Sequence, residues 1–284
     1  AYPEGEELKD GMPAATRYIW AMSHGGNNHA SRLWLGTDPG GLFMSEDEGN
    51  SFQLVQSLWQ HPSRKTSWMG GGRDQPGIHS IVVDPRDENH IHIGISCAGV
   101  FETMDSGKTW EVRNKGLKAA FLPDPDSDVG HDPHILVAAP TNPDILWQQN
   151  HCGIFYSTDG AKNWQDVSEQ SGPARFGFAM AVADDNPDQA WVAPADSDEI
   201  RVAIKGSLFI CRTDDGGKTW KEFRKGLPQE NCFDIVYRHA LATSGDAVAF
   251  GTTTGNLFIS NDRGESWQVI NNYLPMVYSV QFAD

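Results

Sequence analysis

No apolar run in the sequence approaches the roughly 18 residues that a membrane-crossing helix needs. Its opening, Ala1-Tyr2-Pro3-Glu4-Gly5-Glu6-Glu7, has neither the cationic start nor the apolar centre of a secretory signal. Position 1 is not Met, which leaves initiator removal, processing and truncation open. Basic residues are scarce: 22 Lys and Arg stand against 38 Asp and Glu, a formal net charge of −16 over 284 residues. Neutralising a polyanion takes the opposite surplus, so neither nucleic acid nor an anionic membrane is expected as a partner. Cysteine is rare as well. Cys97, Cys152, Cys211 and Cys232 form no CxxC pair and no disulfide framework, so buried thiols in a cytoplasmic setting are expected, with a secreted or periplasmic one the alternative. The Gly70-Gly71-Gly72 run lacks a following Lys-Ser/Thr and helix, which makes it a flexible rim loop rather than a phosphate cradle.

What the chain does have is a repeated turn. Thr213-Asp214-Asp215-Gly216-Gly217-Lys218-Thr219-Trp220 has four relatives, at 45–52, 103–110, 157–164 and 260–267. Each places a Ser or Thr two residues before an Asp and an aromatic residue five after it. The Asp (Asp47, Asp105, Asp159, Asp215, Asp262) is suited to accept backbone N–H bonds across a hairpin, and the aromatic opens the next strand with a ring to bury. Recurrence about every 50 residues is the signature of a β-propeller with one four-stranded blade per repeat.

The expected fold is therefore all-β: five blades at about 15–56, 77–116, 132–170, 175–228 and 232–272, preceded by an acidic strap or tail over 1–14. Inner strands are expected at 17–22, 79–83, 134–138, 176–182 and 233–241, with 276–283 a sixth, closing strand lacking its own blade.

These five turns resemble the Asp-box, or bacterial neuraminidase, repeat of sialidases, some xyloglucanases, sortilin-type receptors and a photosystem assembly factor. Gly40-Gly41-Leu42-Phe43, Pro76-Gly77-Ile78-His79, Leu146-Trp147-Gln148-Gln149-Asn150-His151, Tyr237-Arg238-His239-Ala240-Leu241 and Thr252-Thr253-Thr254-Gly255 further resemble bacterial proteins labelled exo-α-sialidase or glycosyl hydrolase-like. The resemblance covers nearly the whole chain. It implies more sequence before residue 1, another blade or more, so that the chain is a truncated or split propeller; a missing N-terminal propeller segment or a homo-oligomer is the expected protein partner. A true sialidase is not expected, because the Arg-Ile-Pro motif is absent and Arg17-Tyr18-Ile19-Trp20 does not replace it.

In a propeller the Asp turns lie at the end away from the usual ligand mouth, so these five carboxylates are read as structural. At the mouth, His79, His134 and His239 on inner strands are candidate ligands for Zn²⁺, Mn²⁺ or Fe²⁺, with His151 a fourth ligand or general base and Arg238 a clamp for an anionic group. Asp74 and Asp132 are the candidate carboxylate pair of a glycosidase, and His61, Arg64, His131 and Gln149 are candidate ligand contacts. His24, His29, His90 and His92 fall elsewhere. Asp124 to Gly130 resembles the opening of a Ca²⁺ loop but lacks its central Gly and terminal Glu. Three functions remain in play: a metal-assisted hydrolase acting on a small molecule or saccharide, a carboxylate-based glycosidase, and a non-catalytic binding or assembly propeller.

Overall fold

Each Ser/Thr-x-Asp turn closes a hairpin by the same set of bonds. At the second, Thr103 Oγ1 donates to Asp105 Oδ1 (2.8 Å) and accepts from Gly107 N–H (2.8 Å), while Thr109 donates its N–H (2.9 Å) and its hydroxyl (2.7 Å) to the two oxygens of Asp105. Asp47, Asp159, Asp215 and Asp262 accept equivalent pairs from Ser51, Asn163, Thr219 and Ser266. The position filled by Gly107 has positive φ in every copy; in the third it is Ala161, at φ 61°.

The computed structural model describes residues 1–26 and 28–283. These turns join the third and fourth strands of five antiparallel sheets, each built from four strands in chain order. The first holds β1 (Tyr18–His24), β2 (Leu33–Asp38), β3 (Leu42–Ser45) and β4 (Gln53–Leu54). The second holds β5 (Ile78–Asp84), β6 (Asp87–Ile95), β7 (Gly99–Thr103) and β8 (Glu111–Val112). The third holds β9 (Pro133–Ala139), β10 (Asn142–Asn150), β11 (Gly153–Ser157) and β12 (Gln165–Asp166). The fourth holds β13 (Gly177–Val182), β14 (Ala190–Pro194), β15 (Ile210–Thr213) and β16 (Lys221–Phe223). The fifth holds β17 (Leu241–Ser244), β18 (Ala247–Gly251), β19 (Leu257–Ser260) and β20 (Gln268–Asn271). This is a β-propeller of four-stranded blades.

The chain divides into two compact units, 1–136 and 137–284, with the boundary inside β9. In the first, Trp34, Trp68, Ile91, Ile93, Ile95 and Phe101 form a core in which β6 turns its isoleucines to one face, the period-2 pattern of a strand. In the second, Trp191, Ile210, Val248, Phe250, Phe258 and Trp267 do the same. Residues 1–14 pack on the first sheet: Leu8 and Tyr2 cluster with Phe43, Leu54 and Trp59, and Tyr2 Oη donates to Pro39 O at 2.8 Å.

Every Ser/Thr-x-Asp turn sits beside the hairpin joining the first two strands of its own sheet. Examples are Glu48 N–H on Ser31 O (2.9 Å) and Arg263 N–H on Asp246 O (2.9 Å). The second-to-third-strand loops and the connections between sheets therefore occupy the other end.

The structure corrects the sequence reading in several places. Residues 56–67, expected only as connection, hold two short helices, α1 (Gln56–Trp59) and α2 (Pro62–Ser67). The inner strand of the fifth sheet is not 233–241 but β17, closed onto β18 by a two-residue Gly245-Asp246 turn. Residues 233–240 are instead loop, with Asp234 taking hydrogen bonds from Thr254 Oγ1 and Asn256 Nδ2. Segment 277–282 forms no strand of a sheet; it makes one parallel bridge, Ser279 to His239. Gly70-Gly71-Gly72 runs into a surface turn, with Gly71 and Gly72 exposed, where a Cβ at Gly71, whose φ is +58°, would stand 2.3 Å from Cys97 Sγ. Cys97, Cys211 and Cys232 are buried, whereas Cys152 is partly exposed.

Candidate functional site

In the first unit, the end opposite the Asp turns is built from the 69–77 connection, the Ser96-Cys97-Ala98 loop and residues 130–132. Met69 N–H donates to Cys97 O (3.1 Å), Gly130 N–H donates to Ala98 O (3.0 Å), and Ala98 bridges His131. Asp132, nearly buried there, accepts from Ser96 Oγ (3.0 Å) and from Cys97 N–H (3.1 Å), and its other oxygen lies 3.5 Å from His134 Nε2. Cys97 holds φ +52°, a sparsely populated conformation for a non-glycine residue. Asp74, the expected partner of Asp132, is an 84% exposed side chain whose cation neighbour, Arg17, is 3.7 Å away.

The other expected contacts of this unit are engaged in holding it together. His61 caps α2, accepting from Ser63 N–H (3.3 Å), and sets its ring edge-on to Phe101 at 5.2 Å; burial pushes its pKa down. Arg64 donates to Trp59 O (2.6 Å), stacks 3.5 Å from the Trp59 ring and pairs with Glu6. His131 donates from Nε2 to Ser127 O at 2.7 Å, and burial lowers its pKa. That bond pins the Asp124 to Gly130 loop, where Asp126 is paired with Lys118. His79 is fully buried, with Nδ1 2.9 Å from Ser80 Oγ and its ring edge-on to Trp20 at 5.6 Å.

Trp20 belongs to a surface group that sequence reasoning missed. Arg73 lies 4.4 Å from the Trp20 ring and 5.5 Å from Tyr18, and is oriented by Asp38 at 2.6 Å.

In the second unit, Gln149 is buried and donates to the carbonyls of Asn150, Gly153 and Arg175 at 3.1–3.3 Å, so it braces its loop. His151 projects from the turn between β10 and β11, 3.6 Å from Asp198 and edge-on to Phe176 at 5.9 Å. From Phe176 a ladder of rings continues edge-to-face to Phe178 (5.4 Å, 77°), edge-to-face from Phe178 to Tyr237 (5.7 Å, 81°), and stacked from Tyr237 to Tyr278 (6.3 Å, 15°). Arg201 and Arg238 lie 5.6 and 5.7 Å from the Phe178 ring. Phe178 is buried, Phe176 and Tyr237 are half-buried, and Tyr278 is 58% exposed.

Arg238 thus reaches the expected end of its unit, but from a loop. His239 also sits in that loop rather than on an inner strand, and its carbonyl accepts Val280 N–H at 2.9 Å. Among the described residues, neither His79 nor His239 belongs to a group of three metal-ligating side chains with donors within 4.8 Å of one another. The ladder joins positions about 100 residues apart with no periodicity to link them, so nothing in the sequence pattern could have assembled it.

No protein-family model matches the chain. A Neosartorya fischeri protein with the provisional name oligoxyloglucan-reducing end-specific xyloglucanase is 24% identical over 265 residues, covering 84% of this chain and 30% of that one. The oligoxyloglucan-reducing end-specific xyloglucanase of Emericella nidulans is 24% identical over 218 residues, covering 67% and 25%. Among solved structures, an ancestral GH74 enzyme superposes with a TM-score of 0.63 at 16% identity, covering 94% of this chain and 34% of its own. The last likeness is one of fold. The chain spans about a third or less of the length of each of these proteins.

Proposed function

We propose that this chain is a saccharide-binding propeller of the glycoside hydrolase kind, with the Phe176–Phe178–Tyr237–Tyr278 ladder as its sugar platform. The observation that carries the reading is that row of four rings, buried at its centre and open at Tyr278. The axial C–H bonds of a pyranose carry partial positive charge and pack against the negative face of an aromatic ring. Arg201, Arg238, Asp198 and His151 beside the ladder supply hydroxyl partners. The relatives named as xyloglucanases support a β-glucan as the ligand class.

Within the first unit, taken by itself, Asp132 is the better held of the two carboxylates first singled out and is the candidate for a bond-breaking role there. Affinity electrophoresis through xyloglucan tests the binding. The chain should be retarded, and Tyr278→Ala should weaken retention about tenfold, the loss of one stacked ring at roughly 1.4 kcal/mol. Mobility unchanged in xyloglucan and in other β-glucans would sink the reading. Asp132→Asn should leave retention intact while removing any release of reducing sugar.

A further inference from the structure

The second sheet of the first unit carries a cluster that the proposed function does not use. On β6, His90 and His92 stand two residues apart and so share one face, the face opposite Ile91, Ile93 and Ile95. Glu102 on β7 is the register partner of His92. His90 Nε2 lies 2.7 Å and His92 Nε2 3.2 Å from the same oxygen, Glu102 Oε1, and one donor from each of the three side chains falls within 4.8 Å of the other two.

We propose that His90, His92 and Glu102 bind a divalent transition metal of the Zn²⁺ class. Four-coordinate Zn²⁺ with bonds near 2.0–2.1 Å spaces its ligands about 3.3 Å apart, so His92 and Glu102 are at ligand spacing, and His90 needs to open by only about half an ångström. Two imidazoles and one carboxylate form the donor set of many zinc sites, with a fourth position left for water.

The surroundings of the three donors are arranged as such a site requires. His90 Nδ1 faces Asp84 Oδ2 at 3.1 Å, which fixes the tautomer that leaves Nε2 for the ion. Asp84 is in turn held by Arg86, whose Nε and Nη2 approach it at 2.9 and 2.6 Å. The second oxygen of Glu102 is held by Arg113, which also meets Glu111 at 2.6 Å. The side chains of Asp84, His92 and Glu102 are nearly buried; that of His90 is 12% exposed and gives the way in.

The test uses the full chain, stripped with a chelator and titrated at pH 7.5 with Zn²⁺ alone and with Co²⁺ alone. One equivalent should bind, and Co²⁺ should give the visible absorption of a low-coordinate nitrogen–oxygen site. His92→Gln should weaken binding at least tenfold and abolish that absorption, and Asp84→Asn should weaken it by about 10–100-fold. Should His92→Gln not fold, nitrogen-15 NMR of the unaltered chain gives a second reading, with two of the ten imidazoles shifting on Zn²⁺ addition. No saturable uptake, or uptake equal in His92→Gln, or no imidazole shift, would reduce the cluster to an ion-pair network and overturn the proposal.

Discussion

At the scale of single residues, the repeated Asp earns its recurrence through bonds to its own turn. Burial alone would push the pKa of Asp105 up, but bonds from Thr109, Thr103 and Lys108 outweigh it and bring the value down to about 2 from an ordinary 3.8. Asp262 is held at about 2 in the same way by Ser260, Ser266 and Glu265. A carboxylate with a depressed folded-state pKa stabilises fully above its unfolded value and loses that contribution as pH falls through the folded one. The urea midpoint should therefore drop between about pH 4 and pH 2, and Asp105→Asn together with Asp262→Asn should flatten that part of the curve. Backbone conformation gives a prediction of opposite sign at one of these turns. Ala161 sits at φ 61° where the other four copies use Gly, so Ala161→Gly should stabilise by up to about 1 kcal/mol, read as a raised urea midpoint. By contrast, Gly71→Ala should cost about 1–3 kcal/mol, since the new methyl must displace Cys97 Sγ.

Among elements, those whose signals are local were legible and those made by distant contacts were not. A Ser or Thr, an Asp and an aromatic ring within eight residues contain the whole chemistry of the turn, so all five hairpins and most strands could be placed. Phe233-Asp234-Ile235-Val236-Tyr237 has the composition of an inner strand, yet Asp234 is claimed by Thr254 and Asn256 and the chain stays a loop. The competing signal, Gly245-Asp246 between two short apolar runs, marked the true hairpin. The same limit applied to the sites. His90 and His92 could be read as one face of a strand, but their meeting with Glu102 depends on the register of β6 against β7. Asp132 stood out by position, whereas the ring ladder required Tyr278 to be brought to Tyr237. The indole inside the fourth sheet shows how much one buried side chain carries. Trp191 is fully buried and donates to Arg263 O at 2.9 Å, so Trp191→Ala should cost about 3–5 kcal/mol by denaturant titration.

At the scale of the whole molecule, the formal net charge is −16, and a neutral polysaccharide meets no electrostatic barrier from it. The proposed saccharide ligand is consistent with that charge in a way a polyanion is not. Strand order has a consequence of its own. All five sheets run β1-β2-β3-β4 or its equivalent, so each strand's partners are its immediate neighbours along the chain. Apart from the long 195–209 connection between β14 and β15, pairing of this kind closes short loops, which keeps the entropy of finding each partner small. During synthesis a blade can complete its hydrogen bonding as soon as its own fifty or so residues have left the ribosome, before the next blade exists. Force-sensitive arrest of translation should then report a series of pulls spaced about one blade apart, the mechanical record of a protein that assembles as it is made.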